Sequence, residues 1–173
     1  MSVRIDMAAV FAAAPGDASV QRTDLRYAQP RTPLREAAYS DAVTRYVIGA
    51  DVAFRLAAER TVVDAQHQLV APTLLRSQLL TQLYQAVRRG ELTKQEADGR
   101  LDHVRSLRMR LLGDRVLQAV AWRIAAQLGW PDTYDAEYVA LTQLQADAFV
   151  TLDAGLADAV RDVVAVAPYD ALT

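Results

Sequence analysis

From residue 45 onward, short β-branched runs alternate with stretches whose apolar residues recur at helical spacing. Tyr46-Val47-Ile48 is a short buried run ending at Gly49, and it predicts a first strand. Residues 51–60 follow with Val52, Ala53 and Leu56 on one side, which predicts a helix. Leu69-Val70-Ala71 is a weak short strand before Pro72. Over 73–89, Leu75, Leu79, Leu83 and Val87 mark the clearest helix, and Gly90 ends it. Thr93-x-x-Glu96 is a capping box opening a helix that runs to Leu107. Met109–Leu112 predicts a strand, with Gly113-Asp114 as the turn into a helix over 115–128 and Gly129 as its cap. A loop at 130–133 leads to a helix over 134–145, a strand at 148–152, a helix at 154–162 and a last strand at 163–166.

Short strands separated by helices, with no hairpin signal between them, predict an α/β fold of three layers. A central parallel sheet is flanked by helices on both faces. In such sheets ligands bind outside the carboxyl ends of the strands, at a topological switch point. Gly49–Asp51, the start of helix 73–89, Asp135 and Asp153 are all expected at that edge. The pattern assigns 45–173 to one domain and 1–44 to an N-terminal arm. Residues 1–14 form an Ala-rich helix in this reading, the Pro- and Gly-containing stretch 15–33 is irregular, and 34–44 form a short helix after Pro33. Val10, Phe11, Leu25 and Tyr27 are the arm's candidate anchors, on the domain or on a dimer partner.

Composition narrows the chemistry. About half of the 173 residues are apolar and the net charge is −2, so no global basic field draws the chain to nucleic acid. Lys94 is the only lysine, and arginine supplies the other basic side chains. Without cysteine there is no disulfide framework, thiolate nucleophile or Cys-ligated zinc. No apolar run approaches the roughly 18–20 residues of a membrane span. The run Met7–Ala14 is short and preceded by Asp6, a poor match to a cleaved signal, so a cytoplasmic location without membrane contact is the expectation.

Three carboxylates are then the candidates for function. Asp51 is read at the end of the first strand, Asp135 in the first turn of a helix, and Asp153 at the end of a strand. Carboxylates gathered at one sheet edge suit Mg²⁺ or Mn²⁺, which prefer oxygen ligands and can orient and polarise a phosphodiester. The competing reading is local. Aspartate is also favoured at helix starts, as a cap or through the helix dipole. Asp132 reads as an N-cap and Asp147 as a solvent-facing turn residue.

The stretch Tyr134-Asp135-Ala136-x-Tyr138-Val139-Ala140-Leu141, followed by Thr151-Leu152-Asp153, resembles the PIN domain family of the VapC-like toxin type. Val47-Ile48-x-Ala50-x-Val52-Ala53 resembles that family's opening strand. Ala71-Pro72-x-Leu74-Leu75-Arg76-Ser77 and Arg88-Arg89-Gly90-Glu91-Leu92 resemble its second helix and the turn after it, so the similarity spans roughly 45–168. The resemblance implies a metal-dependent endoribonuclease of toxin–antitoxin type, a phosphodiester hydrolase with RNA as substrate, an antitoxin-like protein partner and a homodimer. It also implies that Asp51, Asp135 and Asp153 are catalytic and hold Mg²⁺ or Mn²⁺ together with Gln78, and that Arg76 holds a substrate phosphate. Two positions depart from the family pattern. Its first aspartate is Gly49 here, with Asp51 in place of a hydroxyl residue two positions on, and its second carboxylate is Gln78. Gln78 offers a carbonyl oxygen without charge. A degenerate, non-catalytic domain acting as a binding or assembly module is the alternative that these departures imply.

The remaining residues carry less. His67 and His103 are the only histidines, one expected in a loop and one within a helix, and neither has a partner at ligand spacing. Neither a P-loop nor a G-x-G-x-x-G motif occurs. Arg88, Arg89, Arg105, Arg108 and Arg110 read as solvated helix faces, and Trp122 and Trp130 as packing anchors.

Overall fold

The computed structural model describes residues 43–173. The expectations for 1–42 lie outside the described residues. Four strands form one all-parallel sheet: β1 (Thr44–Ile48), β2 (His67–Pro72), β3 (Met109–Leu112) and β4 (Ala148–Val150), in the order β3-β2-β1-β4. The helices are α1 (Ala50–Glu59), α2 (Leu75–Arg88), α3 (Lys94–Ser106), α4 (Arg115–Leu128), α5 (Tyr134–Gln145) and α6 (Ala154–Val160), and a 3-10 turn at Tyr169–Leu172 closes the chain. The predicted three-layer α/β architecture is the one observed.

The strands form because their side chains are apolar on both faces, as a covered parallel sheet requires. Val47, Ile48, Leu69, Val70, Phe149 and Val150 are all buried. They pack with Tyr138, Val139 and Leu141 of α5 and with Leu117, Ala121 and Ile124 of α4 in the main core. A second cluster joins Ala57 of α1 to Leu79 and Leu83 of α2 and to Ala97 and Val104 of α3. The Thr93–Glu96 capping box fixes the start of α3, as its sequence predicts.

Four details differ from the sequence reading. Thr44 opens β1 rather than closing a helix over 34–44. The predicted strand 163–166 reduces to one bridge, Val166 with Phe149. Val163 and Val164 instead donate their N–H groups to the Val160 carbonyl, continuing the turn after α6. Asp147 is more than a turn residue, since its Oδ2 accepts the Arg45 N–H at 2.7 Å and ties the entry of β4 to β1. Finally, β4 ends at Val150, two residues early. The reason lies at the site.

The strand order places the reversal of direction between β1 and β4. The chain steps from β1 to β2 to β3 on one side, and β4 adds to the other. The carboxyl ends of β1 and β4, at Gly49 and Thr151, therefore flank the crevice where α/β sheets bind ligands.

Candidate functional site

A cleft of about 560 Å³ opens at that switch point. Asp51, Asp135 and Asp153 line it together, as the sequence predicts, along with Gln78, and among the described residues no arginine, lysine or histidine lines it. Ser77, Thr81 and Gln82 of α2, Tyr134 and Tyr138 of α5 and Thr151 complete its polar wall. These residues were not singled out from the sequence. The signal for α2 was present, because 77, 78, 81 and 82 form one polar helical stripe.

Asp51 is in the first turn of α1, with Gly49 as the N-cap, not at the end of the strand. Its carboxylate accepts three hydrogen bonds. Oδ1 accepts the Val52 N–H at 2.8 Å. Oδ2 accepts the Thr151 hydroxyl at 2.9 Å and the Leu152 N–H at 2.6 Å. These two bonds draw Thr151 and Leu152 out of the sheet and end β4 early. The carboxylate also fills the space above Gly49, where a Cβ would stand 2.2 Å from Oδ1. Gly49 has φ −70° and ψ 165°, ordinary extended backbone, so its lack of a side chain serves Asp51 and not the backbone.

Asp153 is the N-cap of α6 and not a strand residue. Its Oδ1 accepts the Leu156 N–H at 3.0 Å, and its own N–H donates to Thr151 Oγ1 at 3.1 Å. Asp132 is not the N-cap read for it: Thr133 holds that position, and Asp132, one residue earlier, accepts the Tyr134 N–H at 3.0 Å. Asp135 sits in the first turn of α5, as read. Burial first, and then the charges of Asp132, Asp153 and Asp51, hold its carboxyl above the usual aspartate range. Gln78 Oε1 accepts the Tyr138 hydroxyl at 2.5 Å. Burial, and then Asp51, Asp135 and Glu137, push the Tyr138 phenol far up, so it stays protonated and donates.

Arg76 is not at the cleft. It lines a groove on the other side of α2 with Leu79, Leu101 and Arg105. The helical period decides this, since the face carrying 77, 78 and 81 excludes 76. The expected phosphate contact therefore lacks its arginine.

The residues as arranged are a poor fit for Mg²⁺ or Mn²⁺. Asp51 already accepts three hydrogen bonds, Gln78 carries no charge, and its carbonyl accepts the Tyr138 hydroxyl, which leaves a weak donor set for either ion. Among the described residues no three His, Asp or Glu side chains are gathered to hold an ion. No helix among them is long and apolar enough to cross a membrane.

No protein family and no curated protein matches this chain. Among solved structures the chain is similar to PAE2754 from Pyrobaculum aerophilum, with a TM-score of 0.59 and 21% identity. The match covers 77% of this chain and 95% of that one. At this identity the likeness shows the fold.

Proposed function

We propose that this chain is a non-catalytic relative of the PIN-type nucleases it resembles, working as a binding module through the acidic cleft. The observation that carries this reading is Asp51. Its carboxylate occupies the space above Gly49 and gives both oxygens to Val52, Thr151 and Leu152. A group so engaged anchors the turn after β4, and an ion would have to compete with those donors for it. The cleft is acidic and, among the described residues, lacks cations along its walls, which favours a basic segment of a protein partner, such as an antitoxin-like protein, over RNA phosphates. A homodimer, which rests on the resemblance, and a cytoplasmic location belong to the same reading.

A metal-dependent ribonuclease is the second reading. One observation favours it: Asp51, Asp135 and Asp153 share the cleft, and their mutual repulsion is the kind a cation relieves.

Cleavage of a mixed RNA pool with Mg²⁺ and with Mn²⁺ separates the two. The binding-module reading expects no cleavage by the natural chain. It also expects that Gly49→Asp combined with Asp51→Ser and Gln78→Glu is needed before any metal-dependent cleavage emerges. Cleavage by the natural chain, abolished by both Asp135→Asn and Asp153→Asn, refutes it.

A further inference from the structure

The two tryptophans of this chain line one pocket beside the acidic cleft. The pocket, of about 440 Å³, lies between the end of α4 and the start of α5, with Trp122, Trp130, Pro131, Asp132 and Tyr134 on its wall. Trp122 is not the packing anchor its sequence suggests, since it is 73% exposed, and Tyr134 is 59% exposed. Trp122 lies outside the buried stripe of Leu117, Ala121, Ile124 and Ala125 on α4. Trp130 is carried to the same pocket by the left-handed turn at Gly129, and its N–H donates to the Ala125 carbonyl at 2.9 Å. Exposed aromatic side chains at a pocket are typical of recognition surfaces, because they offer large contact area together with a polar tip.

Charge decides the kind of ligand. Among the described residues, Asp132 is the one charged side chain on the pocket wall. Helix α4 ends here with no basic residue in its last turn, so no side chain of its own offsets the negative end of its dipole. The pocket also continues into the acidic cleft. Trp130, Pro131 and Asp132 line a neighbouring hollow together with Asp135 and Asp153, and Tyr134 lines the cleft itself. Every charged side chain along this track, among the described residues, is a carboxylate.

We propose that the Trp122–Tyr134 pocket takes an arginine side chain of a protein partner, held by the exposed aromatic faces and by Asp132, while the partner's basic segment continues into the acidic cleft. The second half of this inference rests on the binding-module reading of the cleft. An aromatic face attracts a cation through its quadrupole, and tryptophan does so best. Arginine suits the pocket better than lysine, because its planar guanidinium stacks on rings and sheds water more easily. Asp132 is fixed at the pocket by the Tyr134 N–H, which donates to its Oδ1 at 3.0 Å. An RNA base would also stack on these rings, but its phosphates would meet Asp132, Asp135 and Asp153 with no cation on the track to offset them.

The test titrates the full chain by calorimetry, without added metal, with hexa-arginine, with hexalysine of equal charge and with a short oligouridine RNA. Hexa-arginine is expected to bind more tightly than hexalysine, and the RNA not to bind. Trp122→Leu changes an exposed residue, and urea unfolding checks that it folds as the natural chain does. It should weaken hexa-arginine about 5-fold and erase the preference over hexalysine, while Trp122→Phe keeps part of both. Asp135→Asn and Asp153→Asn should weaken the two peptides alike. Equal binding of the two peptides, or hexa-arginine affinity unchanged in Trp122→Leu, overturns the pocket and leaves the acidic cleft as a binding site. Binding that depends on Trp122 but ignores Asp135→Asn and Asp153→Asn upholds the pocket and removes the cleft from the partner's path. RNA binding that Trp122→Leu weakens overturns the proposal in favour of base stacking, and no binding of either peptide overturns pocket and cleft together.

Discussion

Gly49 and Asp51 should behave as one unit, and a double-mutant cycle measures this directly. Asp51→Ala removes three hydrogen bonds to a charged acceptor, from Val52, Thr151 and Leu152. Each such bond contributes about 1.5–3 kcal/mol when fully buried. Asp51 is only half-buried, so water replaces part of the loss, and about 2–3 kcal/mol is expected in total. Gly49→Ala should cost about the same by a different route. Its Cβ would stand 2.2 Å from Asp51 Oδ1, so the short Asp51 side chain must leave its donors to make room. In the Asp51→Ala background the methyl meets no carboxylate. The extended backbone at 49 accepts alanine, and Gly49→Ala should then change stability by less than about 0.5 kcal/mol. The coupling is therefore about 2 kcal/mol. Urea unfolding of the four proteins reads it, with each kcal/mol also moving the thermal midpoint by about 3–6 °C. If the two substitutions add within about 0.5 kcal/mol, the carboxylate does not occupy the space above Gly49, and the argument built on Asp51 fails.

Asp153→Ala removes the cap of α6 and should lower stability by about 1 kcal/mol, read by urea unfolding, while Asp153→Asn should retain most of it. Tyr138→Phe leaves Gln78 Oε1 without its donor and should cost about 1 kcal/mol; Gln78→Leu in that background should recover part of the loss, and an unchanged midpoint in Tyr138→Phe refutes the contact. Asp135 gives a pH signature. Its folded carboxyl binds a proton more tightly than the unfolded one, so its contribution to stability falls as pH rises from the ordinary aspartate range through the raised folded value. Asp135→Asn should accordingly melt higher than wild type at neutral pH, with the difference fading below about pH 3.5, and a pH-independent difference contradicts that sign.

The sequence pattern carried the architecture further than the site. Apolar runs such as Tyr46-Val47-Ile48 and the leucines of α2 are local signals, and they located strands and helices to within a few residues. The site depended on contacts between residues about 100 positions apart. Thr151 and Leu152 read as strand because they are β-branched and apolar, yet Asp51 captures both and β4 stops before them. Asp51 in turn read as a strand-end ligand, because nothing local reveals that its carboxylate turns back over Gly49. Arg76 was misplaced for a smaller reason. The helical phase of α2 was visible from the leucines, and it already put 76 on the face away from 77, 78 and 81. The histidines show the opposite limit. Their spacing along the chain carries no ligand signal, and only the fold brings them to one cavity.

The Asp51 geometry bears on what a displaced carboxylate can do. An aspartate in the first turn of α1 places a negative charge in the space that a side chain at 49 would fill. It arrives, however, on a side chain rooted in α1 that meets the N–H groups of Val52 and Leu152 before it meets the cleft. Charge at the right place is then combined with lone pairs facing the wrong way, and those bonds to backbone are stronger competitors than water for the same oxygens. A single aspartate restored at Gly49 would collide with this arrangement instead of adding to it. An aspartate at 49 could be accommodated only if residue 51 gave up its donors in the same step, so substitutions at 49 and 51 are expected to cost less together than the sum of each alone.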